Sequence, residues 1–417
     1  MRWVRRIGAV ALWLVIVACL ALAVIPDFLD ARYYRGPVTA HFDGERFSNP
    51  DGDDEVISAG RSGGMIARYL LGNDDRPAWP DAIKVTPAKP PAQVDDERML
   101  VTWVGHATVL VQTQGLNILT DPIWSDTAGP YGLGPKRVAA PGIRFEDLPK
   151  IDLILVSHDH YDHMDLVTLK RLWDRDRPVI VTSLGNDSLI RGAGIPTART
   201  DRPCAKCSGV AALDWGGSLM FNRTAPSPAS PSADTDIVIT ADRFYRVIVN
   251  RSHHWGSRWF SDRNRALWSS FVVELPGGNL FFAGDTGAGD LKWVDEAARH
   301  GPIRLALIPI GAFRFTGGQM ASGSHIGPVD AVEVYRRLGA ANAIGVHWGT
   351  FRLSYEAWDT PPRLLAAAER CTGQSGFAAI PIGRSVPVPA YAPPRAVPVM
   401  PRDALLRCLA PAIGSLQ

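Results

Sequence analysis

The chain lacks a net charge of any size, because its 44 lysine and arginine residues face 42 aspartate and glutamate residues, for a formal charge of +2. A nucleic-acid-binding surface needs an excess of basic residues, so we expect no nucleic-acid partner. The balance also excludes the negative field of an acidic tail. Hydrophobic residues make up 46% of the 417 positions, which excludes a disordered protein and suffices for one large core or several average domains.

Cysteine is scarce as well, with five residues in the whole chain. Cys19 falls in an apolar N-terminal run. The others permit two disulfides in an oxidising compartment, with a pairing that the sequence does not fix: Cys204, Cys207, Cys371 and Cys408. The spacing of Cys204 and Cys207 also fits half of a structural zinc site or a redox pair. Because no second Cys-x-x-Cys or histidine pair completes four ligands, disulfides or free thiols are favoured over a structural zinc.

The N-terminus carries a long run without charge, residues 7–25, which follows three arginines and ends at Pro26. Its length suits a bilayer-spanning helix, so residues 1–26 are predicted to form an uncleaved membrane anchor. Residues 21–23 also offer a signal-peptidase site, and a buried core helix is the remaining alternative. With the arginines inside, the rest of the chain crosses the membrane. In a bacterium this predicts an inner-membrane protein whose main domain is periplasmic, or a periplasmic protein if the segment is cleaved.

Three segments follow the anchor. Residues 27–97 are rich in proline, glycine and aspartate with little periodicity, which predicts an N-terminal arm that wraps the core. The core domain is predicted over 98–385, and a Pro-rich C-terminal tail over 386–417. Within the core, two halves at 99–214 and 237–385 each begin with strands and continue with strand-helix units. Two sheets packed face to face with helices outside satisfy this order, so we expect an α+β sandwich.

Short apolar or alternating runs bounded by glycine predict strands, and longer runs with helical spacing predict helices. The strands are predicted at 99–104, 107–113, 116–120, 152–157, 178–182, 237–240, 244–249, 271–275, 279–283, 304–309 and 342–346. The helices are predicted at 166–174, 290–300 and 328–338. The last of these has a proline in its first turn and Asp330 near its positive end.

Four potential metal ligands lie within the six residues His158-Asp-His-Tyr-Asp-His163, directly after a predicted buried strand. Neutral imidazole is the preferred nitrogen ligand of zinc, and a carboxylate fits beside it. His158 and His160 are two apart in an extended segment, so both side chains point the same way and can bind one ion. Asp162 and His163 lie just past the bend, from which they reach a second ion.

Six residues cannot fill two coordination spheres, so further ligands must come from other strand ends. His253 and His254, Asp285, and His347 each follow an apolar run. Any one histidine of this kind is more often structural than a ligand. Together with residues 158–163, however, they complete two sites. A two-metal hydrolase needs this arrangement to hold a hydroxide between ions roughly 3.5–4 Å apart.

The H-x-H-x-D-H run, the aspartate in Gly284-Asp-Thr286 and the late His347 resemble the metallo-β-lactamase superfamily. Further segments resemble the branch that contains N-acylphosphatidylethanolamine-hydrolysing phospholipase D. They are Trp103-Val-Gly-His-Ala-Thr108, Leu119-Thr-Asp-Pro122, His254-Trp255, Phe281-Phe-Ala-Gly-Asp-Thr286, Ile308-Pro-Ile-Gly-Ala312, Ser324-His325 and Ile344-Gly-Val-His-Trp-Gly-Thr350. The likeness covers roughly residues 35–385 and implies a four-layer αββα sandwich with the metals at one edge of the sheets.

The resemblance also implies which residues bind which ion. One zinc is expected to take His158, His160 and His254, and the other to take Asp162, His163 and His347. Asp285 is expected to bridge the two ions. The choice of His254 over His253 rests on the His-Trp match, because nothing else in the sequence separates these neighbours.

Three further residues are expected to act without binding a metal. His325 matches a histidine near the substrate phosphate in that branch, so we expect it to bind substrate or transfer a proton, and a loop histidine beside a helix start is the alternative. With Asp162 and Asp285, His325 completes the catalytic candidates. His106 and Asp121 are expected to lie behind the ligands and fix the tautomer of an imidazole, whereas a plain turn at Asp121 is equally consistent.

The resemblance implies a dinuclear zinc hydrolase. It points to a phosphodiesterase of phospholipase D type that acts on N-acylphosphatidylethanolamine-like phospholipids through a metal-bridging hydroxide. Other divalent metals also suit such ligands. The expected partners are a phospholipid or another small-molecule substrate, the membrane through the N-terminal segment, and a second copy in a homodimer. The candidates for contact with acyl chains are Trp255, Trp259, Phe260, Phe313 and Phe315.

Two alternatives to this function stay open. A lactonase or another carboxyl-ester hydrolase of the same fold would use the same metals, since they activate water equally for attack on a carbonyl carbon. A non-catalytic envelope protein would keep the fold as a scaffold. The complete set of seven ligands speaks against that second alternative, because a decayed site is expected to lose some of them.

Overall fold

The computed structural model describes residues 2–29, 32–52, 77–198, 208–223, 243–259, 261–315 and 319–414. The helices within these residues are α1 (Arg2–Leu29), α2 (Leu166–Asp176), α3 (Asn186–Gly192), α4 (Lys292–Ala298), α5 (Pro328–Leu338), α6 (Thr360–Thr372) and α7 (Arg402–Gly414). The strands are β1 (Met99–Gly105), β2 (Thr108–Thr113), β3 (Leu116–Thr120), β4 (Leu153–Val156), β5 (Val179–Ser183), β6 (Gly209–Leu213), β7 (Ser218–Arg223), β8 (Arg243–Asn250), β9 (Ser270–Glu274), β10 (Asn279–Phe282), β11 (Ile303–Pro309), β12 (Asn342–Val346), β13 (Phe377–Ala378) and β14 (Ser385–Val388). The strand predicted at 237–240 and the pair Cys204 and Cys207 lie outside the described residues.

The strands form two seven-stranded sheets. The first sheet has the order β14-β1-β2-β3-β4-β5-β6, and the second has the order β13-β12-β11-β10-β9-β8-β7. In each sheet the earlier strands of the chain pair antiparallel, and short turns join β1 to β2, β2 to β3 and β9 to β10. The later strands pair parallel, because a helix or a long connection returns the chain to the same edge. The first half seen in the sequence therefore builds the first sheet, and the second half builds the second sheet together with β7, which lies between the halves; β14 crosses back to pair with β1.

Three hydrophobic clusters fill the interfaces between the layers of the molecule. The first lies between the two sheets and includes the fully buried Val109, Leu155 and Phe282. The second packs α4, α5, α6 and α7 on the second sheet, and the third packs α2 and α3 on the first sheet. Helix, sheet, sheet and helix thus form four layers. This order confirms the αββα sandwich of the metallo-β-lactamase fold.

Sequence signals at two helix ends match the observed boundaries. α2 begins after Asp165, whose carboxylate accepts hydrogen bonds from the main-chain N–H groups of Val167 and Thr168. α5 begins with Pro328 and ends before Gly339, which adopts the left-handed conformation with a φ of 59°. The sequence predicts both helices, and their apolar faces pack on the sheets.

The described parts of the N-terminal arm lie along the sandwich. Phe42 and Phe47 are buried in a small cluster with Trp268 of the core. The later part of the arm pairs, through two isolated β-bridges, with the connection between β3 and β4. The arm therefore buries apolar side chains of its own and belongs to the folded domain.

The described part of the segment expected as a Pro-rich tail over 386–417 contains a strand and a helix. Residues 385–388 form β14, which pairs antiparallel with β1. Helix α7 packs on α6 through the buried Leu405 and Leu409, and a disulfide between Cys371 and Cys408 joins the two helices. Prolines dominate the composition of this stretch, whereas the four-residue spacing of the two leucines carries the helix signal.

Helix α1 covers the segment predicted as a membrane anchor. Its exposed side chains include Trp3, Leu12 and Leu14, with exposed fractions of 77%, 61% and 65%. The side chains of residues 22–29 lie outside the described part of the chain. Among the residues that are described, no helix is both long and apolar enough to cross a membrane. The membrane anchor stays a prediction.

The disulfide should stabilise the packing of α7 on α6. It links residues 37 positions apart, and the entropy of closing such a loop in the unfolded chain corresponds to about 3–4 kcal/mol. We expect replacement of Cys371 and Cys408 by serine to lower the free energy of unfolding by up to about this amount, measured by urea denaturation. Cys19→Ser, at a free and exposed cysteine, is the control and should keep the parent's midpoint. An unchanged midpoint in the double variant would contradict the prediction.

Candidate metal centre

The carboxyl ends of four strands meet at one edge of the sandwich. β4 of the first sheet leads into the loop at 157–165. β8, β10 and β12 of the second sheet lead into the loops that carry His254, Asp285 and His347. Since strands that run in the same direction deliver their ends to the same edge, residues far apart in the sequence come together there.

The first cluster at this edge consists of His158, His160 and His254. Nε2 of His158 lies 2.8 Å from Nδ1 of His160, and Nε2 of His254 lies 3.4 Å from that same atom. Nδ1 of His254 donates to the main-chain carbonyl of Ser324 at 2.9 Å, which directs the lone pair on Nε2 into the cluster. The ligand atoms of the three histidines all lie within 4.8 Å of one another.

The second cluster contains Asp162, His163 and His347. Nε2 of His163 lies 3.1 Å from Nε2 of His347 and 3.4 Å from Oδ2 of Asp162. Nε2 of His347 lies 3.6 Å from the same carboxylate oxygen. Asp285 connects the two clusters. Its Oδ2 lies 3.1 Å from Nε2 of both His163 and His347, and 3.9 Å from Nε2 of His254.

These separations fit the ligand atoms of metal sites. In a tetrahedral site with metal-to-nitrogen distances of about 2.0–2.1 Å, neighbouring ligand atoms lie about 3.3 Å apart. The separations given above within the two clusters run from 2.8 to 3.6 Å. Imidazoles and carboxylates are also the ligand types that zinc, manganese and iron accept. The structure therefore brings all seven predicted ligands together in an arrangement that fits two ions, with Asp285 placed to contact both.

The buried carboxylates of the site are stable in their ionised form only when positive charge lies beside them. Burial by itself raises the pKa of the Asp285 carboxyl, but the imidazoles of His163 and His347 outweigh it and hold that pKa well below its ordinary value. Burial by itself lowers the pKa of His347, but Asp285 and Asp162 raise it to about 9. A buried ionised carboxylate is stable only beside a compensating charge, and a divalent cation at this point supplies one.

The imidazoles of the first cluster are kept neutral. Burial, as the largest cause, lowers the pKa of His158 and His254 well below the ordinary value and lowers that of His160 to about 3. Neutral imidazole is the form that has a lone pair for a metal. The three histidines are thus held in the protonation state that coordination requires.

Asp121 lies directly behind His163. Its Oδ2 accepts a hydrogen bond from Nδ1 of His163 at 2.6 Å, and its carboxylate also accepts from the main-chain N–H and the hydroxyl of Ser157, at 2.7 and 2.6 Å. The Ser157 hydroxyl lies 2.9 Å from Nδ1 of His158. Asp121 therefore orients one ligand ring directly and a second through Ser157, which a plain turn at this position would not do.

His106 lies behind the second cluster. Its Nε2 lies 2.8 Å from Oδ2 of Asp162, and its ring centroid lies 4.1 Å from that of His347. Burial, together with the nearby His347, lowers the pKa of His106 to about 3, so the neutral ring donates its N–H to the carboxylate. His106 thus fixes the orientation of Asp162.

Three residues of the site have a positive φ, which is uncommon for residues with a side chain. The values are 53° at His106, 31° at Asp121 and 64° at His347. Such conformations cost on the order of 1–3 kcal/mol each and persist where surrounding contacts determine them. Here the main-chain N–H of His347 donates to the carbonyl of His106 at 2.9 Å, and that of Asp121 donates to the carbonyl of Leu155, also at 2.9 Å. Surrounding hydrogen bonds thus maintain the strained conformations of a candidate ligand, His347, and of two residues that contact candidate ligands, His106 and Asp121.

The structure separates His254 from its neighbour. The side chain of His253 points away from both clusters, and its Nδ1 lies 3.1 Å from the carboxylate of Asp51. His325 lies at the rim of the site, where its Nδ1 is 3.6 Å from Oδ2 of Asp285 and its side chain is 12% exposed. A residue in this position can contact both the cluster and a bound substrate.

Two of the five aromatic candidates border the site. The ring of Trp255 lies 4.3 Å from the ligand imidazole of His160, and the ring of Phe315 lies 5.8 Å from His325. Of the others, Phe313 is buried in the core and Trp259 is exposed, whereas Phe260 lies outside the described residues.

Nothing in the sequence pattern marks Arg258, which supports the ligand loop. Its Nη1 donates to the main-chain carbonyls of Asp159 and Met164, each at 2.9 Å, and so joins the two ends of the loop. Its guanidinium also lies 3.9 Å from the ring centroid of Tyr161. Hydrogen bonds to main-chain carbonyls do not depend on the identity of the accepting residues, so no sequence motif identifies their donor.

Comparison with known proteins agrees with this fold. Residues 116–348, more than half of the chain, match the family described as the β-lactamase superfamily domain. The chain belongs to that superfamily, and its fold and ligand clusters place it in the class of metal-dependent hydrolases.

Two relatives indicate which branch of the superfamily the chain resembles. A protein of Mycobacterium tuberculosis with no assigned function is 34% identical over 280 residues, which are 66% of this chain and 65% of that protein. The chain thus spans just under two thirds of the length of this relative. The N-acyl-phosphatidylethanolamine-hydrolyzing phospholipase D 1 of Caenorhabditis elegans is 34% identical over 267 residues, which are 64% of this chain and 68% of that protein. The resemblance stated from the motifs is confirmed.

A solved structure also aligns with the chain. The metallo hydrolase of Ignicoccus hospitalis aligns with a TM-score of 0.44 and 16% identity, over 70% of this chain and 98% of that one.

Removing the charge on Asp121 should loosen the second cluster. We expect Asp121→Asn to weaken the binding of zinc about 10–100-fold, because an amide keeps a single acceptor oxygen for the three donors that now share the carboxylate, His163 Nδ1 and the N–H and hydroxyl of Ser157. Competition with a chromophoric chelator measures this affinity. Asp147→Asn, at a half-buried carboxylate that pairs with Arg144 away from the clusters, is the matched control and should bind zinc like the parent. Equal affinities in the two variants would show that Asp121 does not orient the ligand.

Proposed function

We propose that this protein uses two metal ions, most suitably zinc, to hydrolyse a phosphodiester bond of a phospholipid. The observation that carries the proposal is the position of the Asp285 carboxylate, which lies 3.1 Å from two ligand nitrogens of the second cluster and 3.9 Å from one of the first. A carboxylate between two clusters suits two ions roughly 3.5–4 Å apart, the separation that clamps both oxygens of an in-line displacement.

The ligand residues divide between the two ions. His158, His160 and His254 would hold one ion, and Asp162, His163 and His347 would hold the other, with Asp285 in contact with both. When bound, such ions lower the pKa of a shared water toward neutrality and neutralise charge that develops on a phosphoryl or carbonyl oxygen. The chain therefore needs no serine or cysteine nucleophile. Its own residues set the geometry and move the protons.

His325 is the residue best placed to move a proton at the substrate. It lies at the rim of the site next to Asp285, and its ring centroid is 5.5 Å from that of His347. From there an imidazole N–H can hydrogen-bond a phosphoryl oxygen or protonate the departing alkoxide. The ring of Phe315 lies beside His325, and the ring of Trp255 lies beside His160; both offer apolar surfaces for an acyl chain.

The proposed substrate is an N-acylphosphatidylethanolamine-like phospholipid. Hydrolysis on the amine side of the phosphate yields a phosphatidic acid and an N-acylethanolamine. Support comes from the name of the Caenorhabditis elegans relative, which is 34% identical to this chain, together with the aromatic side chains at the rim. A lactone or another carboxyl ester remains the alternative substrate, since the same ligands serve attack at a carbonyl carbon.

The purified full-length protein should release phosphatidic acid from an N-acylphosphatidylethanolamine in a metal-dependent manner. We expect a chelator to abolish the release and Asp285→Asn to lower kcat by at least about a thousandfold, because the variant loses the charge that joins the two clusters. Mass spectrometry of the lipid products measures the reaction. Asp174→Asn, at an exposed carboxylate that pairs with Lys170, is the matched control and should keep the parent's rate.

The same assay, repeated with a lactone as substrate, distinguishes the proposed activity from carboxyl-ester hydrolysis and from an inactive protein. Metal-dependent opening of a lactone without phosphodiester cleavage would move the assignment to carboxyl-ester hydrolysis. A metal-loaded protein that cleaves neither bond would contradict the proposed activity.

We also propose that α1 attaches the protein to the inner membrane of a bacterium and that the hydrolase domain lies in the periplasm. The bonded pair Cys371 and Cys408 supports an oxidising compartment, since such bonds are rare in the cytosol. The exposed apolar side chains along α1 suit contact with lipid. A homodimer, expected from the same branch, stays a prediction.

Cell fractionation tests this location. We expect the full chain to stay in the membrane pellet after an alkaline carbonate wash and its domain to be cut by protease added to spheroplasts, whereas a cytosolic marker stays intact. Leu12→Arg with Leu14→Arg should release the protein from the pellet, because charged side chains are costly inside a bilayer. Recovery of the parent in the soluble fraction, or protection from protease, would contradict the proposed location.

A further inference from the structure

Asn49 of the N-terminal arm touches a ligand-bearing loop, although it lies outside residues 116–348, the region that matches the family. Its side-chain Nδ2 donates to the main-chain carbonyl of His254 at 2.9 Å. Its Oδ1 accepts from the indole N–H of Trp268 at 3.0 Å. Because an indole N–H can only donate, the orientation of the amide is determined, and its N–H group must face the carbonyl of His254. Asn49 itself is 8% exposed.

Asp51, two residues further along the arm, touches the neighbouring loop as well. Its carboxylate accepts a hydrogen bond from the main-chain N–H of Asp290 at 2.7 Å and lies 3.1 Å from Nδ1 of His253. Asp290 belongs to the loop that begins at the ligand Asp285, and His253 directly precedes the ligand His254. One short stretch of the arm therefore contacts the loops of two ligands.

The two loops are also joined to each other beneath the arm. The main-chain N–H of His253 donates to Oγ1 of Thr286 at 3.0 Å, and the N–H of Gly287 donates to the carbonyl of His253 at 2.6 Å. A displacement of one loop would move the other. Contacts of the arm with either loop thus bear on both His254 and Asp285.

We propose that Asn49 and Asp51 are positioning residues of the metal centre, and that the arm completes the site instead of only covering the core. The ring of His254 is held at Nδ1 by the carbonyl of Ser324, while its main chain is held by Asn49. Ligands must be fixed by surrounding hydrogen bonds to bind a metal tightly, and loss of such a contact costs about 10–100-fold in metal affinity. The proposal rests on the proposed metal centre but not on the identity of the substrate.

Asn49→Asp is the sharpest test, because it keeps the size of the side chain and an acceptor for Trp268 but places an oxygen against the carbonyl of His254. In the full-length protein we expect zinc to bind about 10–100-fold more weakly at one of the two sites, measured by chelator competition. We also expect kcat to fall with KM nearly unchanged, and the thermal midpoint of the metal-free protein to stay close to the parent's. Arg32→Gln is the matched control in the same arm, since Arg32 makes only an exposed ion pair with Glu45 among the contacts described, and it should behave like the parent.

The outcomes decide the proposal without reference to a substrate. Parental zinc affinity in a folded Asn49→Asp would overturn it, and so would a loss of affinity matched by a similar loss in Arg32→Gln. If Asn49→Asp does not fold, Asp51→Asn takes its place, with weaker zinc binding expected and parental binding contradicting the proposal. A parent protein that binds zinc but cleaves no phospholipid would refute the proposed activity and leave the positioning role intact.

Discussion

The buried carboxylate of Asp285 is the interaction on which the rest of the site depends. It lies at the end of a strand of the second sheet and contacts His163, which comes from the first sheet, as well as His347, which comes from the second. An ionised group in the interior is stable only if positive charge and hydrogen-bond donors converge on it. The meeting of the two sheets at this edge supplies both. The four-layer packing brings the two sheets together at this edge, and the candidate ligands from both sheets supply the charge and donors that Asp285 needs.

Around this centre, three of the candidate ligands are held from behind by groups outside the two clusters. Asp121 holds His163, His106 holds Asp162, and the carbonyl of Ser324 holds His254. Three of the residues involved adopt strained positive φ values, which the surrounding hydrogen bonds maintain. The protein thus gives up some stability at the site to fix the direction of its ligands. Precise direction matters because a metal ion accepts few geometries.

The sequence predicts the layered sandwich and most of the candidate ligands because both leave local signals, whereas the choice of His254 over His253 depends on the resemblance. The residues 158–163 concentrate four ligands after a continuous apolar strand, and Asp285 and His347 each follow a strand of their own. Residues that support the site leave weaker signals. Arg258 and Asn49 bind main-chain carbonyls, and such contacts follow from where the chain passes and not from which residues it contains. β14 and α7 escape prediction for another reason, since proline-rich composition obscures the short apolar spacing that they contain.

We propose that one chain holds two metal ions, one on each side of the Asp285 carboxylate. Native mass spectrometry of the zinc-loaded full-length protein, after removal of excess metal, counts these ions directly. We expect a dominant species with two zinc ions per chain that loses both to a strong chelator while the protein remains folded. A dominant species with a single ion, or with none, would contradict the two-cluster centre described here.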